Sequence, residues 1–318
     1  MTGEGVIRIG VSACLLGEHV RYDGGHKRDS WIVDTLGKHV TFVPVCPEVE
    51  SGMPTPREAM RLEGDPASPR LMTRTSRVDK TDQMLSFCRR KVEELAGERL
   101  CGFIFKKDSP SSGLYRVKVY SPGGGMAKRG SGLFARAVVT RFPLLPVEEE
   151  GRLNDPVLRE NFIERIFAFH RWQTLRQSDP APRDLVRFHT RHKLLLMAHS
   201  PELYRQTGSL VARAGDSPLE ELLDTYETLF FQALSLHATP RKHANVLQHM
   251  AGYFRRHLSP DERGELQELI ETYRRGLVPL IVPITLLRHY IRKYGEPYLS
   301  EQYYIDPHPS ELMLRNRV

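Results

Sequence analysis

The sequence predicts an α/β domain followed by an all-helical domain, and three observations carry that prediction. From Val6 to about Val139, apolar strand-like runs alternate with helical stretches, the pattern of a mostly parallel sheet with flanking helices. The sharpest break in the chain is Ser178-Asp179-Pro180-Ala181-Pro182. Beyond it strand signals nearly vanish, and 183–199, 201–213, 217–235, 239–257, 260–275 and 283–293 read as helices. The expected division is an α/β domain over 1–160, a helical connector over 161–182 and an all-α domain over 183–318.

Taken in order, the first strand runs from Val6 to Val11 and stops in small residues and a cysteine, Ser12-Ala13-Cys14. Ser30 to Leu36 reads as a short helix closed by Gly37. A second strand spans Val40 to Val45 and ends at Cys46-Pro47-Glu48. Ser51-Gly52-Met53-Pro54-Thr55-Pro56-Arg57 is a tight loop that cannot continue a helix. Thr81 to Leu95 is an amphipathic helix with Met84, Phe87, Cys88, Val92 and Leu95 at helical spacing. The strand Gly102–Lys106 runs into Asp108-Ser109-Pro110-Ser111-Ser112-Gly113. Leu114 to Tyr120 alternates as a strand, Ser121 to Gly125 forms a turn, and Gly130 to Val139 starts a helix. The acidic triplet Glu148-Glu149-Glu150 reads as a solvated linker, and a helix follows over 157–177. Leu277 to Leu287 reads as a buried apolar segment.

Composition bounds the function. The chain has 318 residues, 40% hydrophobic and 27% charged, ordinary for a globular protein. No apolar run is long enough to span a bilayer, and Met1 to Gly5 lacks the basic and apolar regions of an export signal, so a cytoplasmic location is expected. The net charge of +7 favours an anionic partner, yet residues 151–318 hold 23 basic against 20 acidic side chains. No basic block dominates, so any nucleic-acid surface must come from folding.

Chemistry concentrates at the strand ends. Ligands of open α/β sheets sit at the carboxyl edge of the strands, where Cys14, Cys46 and the serine turn would meet. Four cysteines do not make a disulfide framework, and the separation of Cys14 from Cys46 excludes a C-x-x-C pair. They are either buried strand-end thiols or ligands of a soft metal centre. Cys88 and Cys101 read as core. Glu48, two residues past Cys46, can act as acid or base there, and the serine turn can offer hydroxyls and N–H groups to a reacting atom. Gly123 to Gly130 matches neither nucleotide-binding glycine pattern. In the helical half, His189, His192 and His199 fall near one helix face and read as solvated or phosphate-facing rather than metal ligands. Arg241, Lys242, His243, His249, Arg255, Arg256 and His257 suggest a helix that tracks phosphates, with Tyr253 and Phe254 available for stacking.

Ser12-Ala13-Cys14-Leu15-Leu16-Gly17, Val20-Arg21-Tyr22-Asp23-Gly24, Pro44-Val45-Cys46-Pro47-Glu48 and Ser109-Pro110-Ser111-Ser112-Gly113 together resemble the thiouracil desulfidase (TudS, DUF523) family over residues 6 to about 160. From about 185 the chain resembles the DUF1722 family, on His192 to His199, Lys242 to His249 and Ile281 to Leu287. The fusion resembles the tRNA 4-thiouridine desulfidases of the RudS family. The resemblance implies a [4Fe-4S] cluster on three cysteines with one iron open, a catalytic glutamate and a serine. Carried over, Cys14 and Cys46 are ligands, Glu48 is the acid/base and Ser109 assists. The third ligand falls on Ser112, which stands where the family pattern has cysteine, so that its donor is an alkoxide rather than a thiolate. The implied reaction is a non-redox conversion of 4-thiouridine in tRNA to uridine with release of sulfide, needing neither a membrane nor an electron-transfer partner. Two other readings stay open: a desulfidase of free thiolated bases or nucleosides, and a non-catalytic RNA-binding protein.

Overall fold

The computed structural model describes residues 5–121, 126–215, 218–312 and 314–316, with backbone alone for 126–129. Two compact units divide at Asp155/Pro156. The first is an α/β unit and the second is helical.

The first unit holds a wholly parallel four-stranded sheet. Its strands are β1 (Arg8–Ser12), β2 (Thr41–Val45), β5 (Leu100–Phe105) and β8 (Val147–Glu149), in the order β2-β1-β5-β8. Ser12 lies opposite Val45, Val11 opposite Ile104, and Phe103 opposite Val147, so the strands finish nearly level. β5 is buried along its whole length, as a central parallel strand must be. Gly10 is required beside it: a Cβ there would meet the Phe103 ring at 2.1 Å. Helix α2 (Thr81–Gly97) buries Met84, Phe87, Cys88, Val92 and Leu95, the stripe its spacing predicts. Phe87 and Phe103 both pack on Phe134 of α3 (Leu133–Arg141).

Three features of this unit differ from the sequence reading. A second sheet, β4-β3-β6-β7, is formed by β3 (Met60–Glu63), β4 (Arg70–Thr73), β6 (Val117–Tyr120) and β7 (Met126–Gly130). It is mixed, with β3 antiparallel to β4 and parallel to β6. β6 falls within the strand expected over Leu114 to Tyr120, whereas β3, β4 and β7 are short and carry charged residues among their apolar ones, which hides their period. The segment 30–36 folds as a π-helical turn, Trp31–Thr35, followed by a 3-10 turn rather than an α-helix. Glu148-Glu149-Glu150 is not a solvated linker. Glu149 is 2% exposed, closes β8 and accepts the backbone N–H groups of Leu114 and Tyr115 at 2.8 and 3.1 Å. Burial pushes its carboxyl above the usual range. The glycine turn at 122–125 lies outside the described residues.

The second unit comprises α4 (Pro156–Gln177), α5 (Pro182–His199), α6 (Pro201–Val211), α7 (Leu219–Ser235), α8 (Pro240–Tyr253), α9 (Pro260–Arg274), α10 (Ile281–Tyr294) and the short α11 (Pro297–Ser300). The segment expected as a connector is α4 of this unit. Proline opens α6, α8 and α9, each preceded by a capping hydroxyl from Ser200, Thr239 or Ser259. At the first helical position proline sacrifices only an N–H that has no intrahelical partner. Within Leu277 to Leu287 the expected burial holds for Leu280, Ile284 and Leu287, but Leu277 is 67% exposed.

The histidines of α5 are core residues, not solvated or phosphate-facing ones. His189, His192 and His199 are all buried. His189 Nδ1 meets Tyr226 Oη at 3.1 Å, His192 Nδ1 meets the Phe188 carbonyl at 2.7 Å, and His199 Nε2 meets Glu164 at 3.2 Å. Burial drives the His189 imidazole down to about 4 and His192 well below its ordinary value. On α8 and its C-terminal turn, Arg241, His249, Arg255, Arg256 and His257 are exposed, but His243 is buried. Lys242 is spent on the His199 and His237 carbonyls. Tyr253 remains accessible, whereas Phe254 is 1% exposed and unavailable for stacking.

Candidate active site

The carboxyl ends of β1, β2 and β5 open on a cavity of about 400 Å³. Cys14, Cys46, Glu48, Ser109 and Ser112 all line it. Cys14 lies in the 3-10 turn that leaves β1, which Gly17 closes at φ 101°, a conformation that favours glycine. Cys46 caps α1 (Pro47–Glu50), and its own N–H donates to Glu50 at 2.8 Å. Cys88 and Cys101 are buried outside the cavity.

Glu48 is held from three sides. Ser111 Oγ donates to its Oε1 at 2.5 Å, while Oε2 lies 3.6 Å from Cys46 Sγ and 3.9 Å from the Arg57 guanidinium. Burial pushes the Cys14 thiol up to about 11 and the Cys46 thiol up to about 12, with the Glu48 charge adding to both. Without a bound cation, both thiols are protonated at neutral pH.

The serine turn is braced by backbone. Ser109 Oγ accepts the N–H of Ser112 at 3.1 Å and that of Ser111 at 3.3 Å, and Ser109 O accepts the N–H of Gly113 at 2.8 Å. The first turn of α3 then grips it: Phe134 N donates to Ser111 O at 2.9 Å and Gly132 N to Gly113 O at 2.7 Å. Ser109 Oγ and Ser111 Oγ are 3.0 Å apart, and Ser111 Oγ and Ser112 Oγ 3.5 Å apart.

Two residues of this constellation were not singled out from the sequence. Ser111 is fully buried and is the partner of Glu48. The signal for it in the sequence is a third hydroxyl in the same turn. Arg57 reaches back from the proline loop to the Val20 carbonyl at 3.0 Å with only 8% of its side chain exposed. No local pattern marks it. The wall of the cavity carries Arg21, Lys27, Arg57, Arg74, Lys106 and Lys107 against Glu48 and Asp108, with Arg21 paired to Asp23 and Lys106 to Glu150.

Comparison with known proteins agrees with this division. Residues 9–150 match the family described as 2-thiouracil desulfurase, and residues 193–309 match DUF1722, a family of unknown function. The chain is 38% identical over 158 residues to the Escherichia coli (strain K12) protein YbgA, described as uncharacterized, spanning 49% of this chain and 94% of that one. A solved structure described as a [4Fe-4S]-dependent thiouracil desulfidase, TudS, is 30% identical. It covers 47% of this chain and 94% of its own, with a TM-score of 0.39. Residues 9–150, which hold the strand-end cysteines, the glutamate and the serine turn, belong to the 2-thiouracil desulfurase family and are joined to a DUF1722 segment.

Proposed function

We propose that this protein is an iron–sulfur-dependent desulfidase that converts 4-thiouridine in tRNA to uridine and releases sulfide. The observation that carries the reading is the meeting of two thiols, a carboxylate and a set of serine hydroxyls at one cavity, delivered by three adjacent parallel strand ends. The donors fit a cluster: Cys14 and Cys46 would hold it through sulfur and Ser112 through oxygen. When bound, the cluster supplies a Lewis-acidic iron suited to a soft thiocarbonyl sulfur, with no net electron transfer.

The chain's own residues supply the rest. Glu48, fixed through Oε1 by Ser111, takes a proton from water at its other oxygen. The water oxygen bonds to the thiocarbonyl carbon and the carbon–sulfur bond breaks. Sulfur departs with the proton returned by Glu48, and the freed carboxylate takes the second proton from the new hydroxyl as the carbonyl forms and gives it up to solvent, so that water and thiocarbonyl become carbonyl, hydrosulfide and a proton. Ser109, anchored by the turn's backbone, donates to the developing charge. The basic wall supports a substrate carrying phosphate over a neutral free base. A base within tRNA must leave its stack to enter, and the exposed Arg241, Arg255 and Arg256 of the helical unit are suited to holding the RNA backbone.

The test is anaerobic reconstitution, followed by assay of sulfide release from thiolated tRNA, the thiolated mononucleotide and the free base. The expected result is about four irons per chain and turnover of tRNA well above that of the free base. A chain that stays iron-free removes the desulfidase reading. An iron-loaded chain that prefers the free base moves the substrate to small molecules. Binding of tRNA should weaken steeply with salt, and replacing Arg255 and Arg256 together with alanine should lower that slope by about 2.

A further inference from the structure

The helical unit contains a second polar centre that the desulfidase chemistry does not use. Glu160 and Glu164 stand one turn apart on α4, and His308 comes from the chain after α11. Their ligand atoms lie within 4.8 Å of one another. We propose that Glu160, Glu164 and His308 bind a divalent transition-metal ion, zinc or one of similar softness.

The surroundings fit a metal better than a closed ion-pair network. His308 turns Nδ1 to the Pro309 carbonyl at 3.1 Å, while Nε2 is buried with no hydrogen-bond partner among the described residues. A ligating histidine has this arrangement: one ring nitrogen donates to a carbonyl and the other keeps its lone pair. The carboxylates are oriented the same way. Arg315 Nε donates to Glu160 Oε1 at 3.0 Å, and its Nη2 donates to Glu164 Oε1 at 2.7 Å. Glu164 Oε2 meets His199 Nε2 at 3.2 Å. Such outer hydrogen bonds are the usual support of ligating carboxylates. They account for one oxygen of Glu160, while His308 Nε2 has no hydrogen-bond partner among the described residues.

Imidazole with carboxylates selects zinc, ferrous iron or manganese over the thiolate-seeking metals. Donors around zinc sit roughly 3.4 Å apart, a small side-chain rotation from the spacing seen. A cavity of about 170 Å³ adjoins the centre, lined by Glu160, Glu164, His199, His243, Tyr273 and Arg315, with room for a water or small ligand on an open coordination position.

The experiment uses the full chain carrying Cys14→Ser and Cys46→Ser, so that no strand-end thiol competes. Cobalt(II) alone is titrated in and followed by its visible d–d absorption. One equivalent should bind, without a sulfur-to-cobalt charge-transfer band, and zinc should displace it. His308→Ala and the near-isosteric Glu160→Gln should each weaken binding at least tenfold. Far-ultraviolet dichroism verifies folding, and His308→Ala removes no hydrogen bond at Nε2. Failure to retain cobalt, or unchanged affinity in both folded variants, overturns the site.

Discussion

In the proposed site Ser112 offers an oxygen as the third donor, and the grip on iron would turn on it. Ser112→Cys should raise iron per chain after reconstitution and slow its loss in air, because thiolate is the softer donor. Cys14→Ser and Cys46→Ser should each abolish stable iron binding, whereas Cys88→Ser, buried on α2 away from the cavity, should leave it unchanged. Iron and sulfide determination separates these outcomes. Glu48→Gln should retain the cluster and lose turnover by about 10²–10⁴, the usual worth of a positioned acid/base. Ser111→Ala should fall between, since it frees one oxygen of Glu48 without removing the carboxylate. The meeting of Cys14, Cys46, Glu48 and the serine turn at one cavity was legible because each lies within a few residues of a strand end, whereas the separate parts given to Ser109 and Ser112 rest on the family resemblance. Ser111 and Arg57 were not: one differs from its serine neighbours only in where it points, and the other arrives from a loop with no periodic signal.

The elements themselves were read with uneven success, for physical reasons. β1, β5 and α2 carry strong signals because β1 and β5 are buried along almost their whole length and α2 buries one face, whereas β2 buries only Val45. β8 was hidden because its glutamates are buried by means of specific partners, a possibility that composition does not reveal. The junction between the serine turn and α3 shows how closely two elements can fit. A Cβ on Gly132 would lie 2.3 Å from the Ser111 carbonyl oxygen and 2.8 Å from Ser112 N. Backbone cannot yield as a side chain does, so Gly132→Ala should cost about 1–3 kcal/mol, measured by denaturant unfolding. It should also lower desulfuration, because the displaced turn carries the partner of Glu48. Full activity with unchanged stability would show that the turn has slack.

Across the whole molecule, the division into an α/β and a helical unit was legible from the loss of strand signals, while the buried polar interior of the second unit was not. Exposed and buried histidines look alike in sequence, and only packing separates them. That burial carries a pH dependence. His189 and His243 are held neutral, near 4 and near 3, chiefly by desolvation. Their folded values lie below the ordinary histidine range, so their contribution is present above about pH 6.5 and is lost as pH falls toward 4. Unfolding of the helical unit followed from pH 7 to 4 should show a decline that His189→Gln reduces. The strand order has a further consequence, in biosynthesis. β1 lies between β2 and β5, so the cavity's first thiol and its serine turn are 98 positions apart along the chain, Cys14 to Ser112. A ribosome exposes both thiols long before the turn that completes the site. On the proposed function, loading of iron would follow completion of the first unit, and a chain stalled before β5 would offer a scavenging metal two thiols with no serine turn beside them.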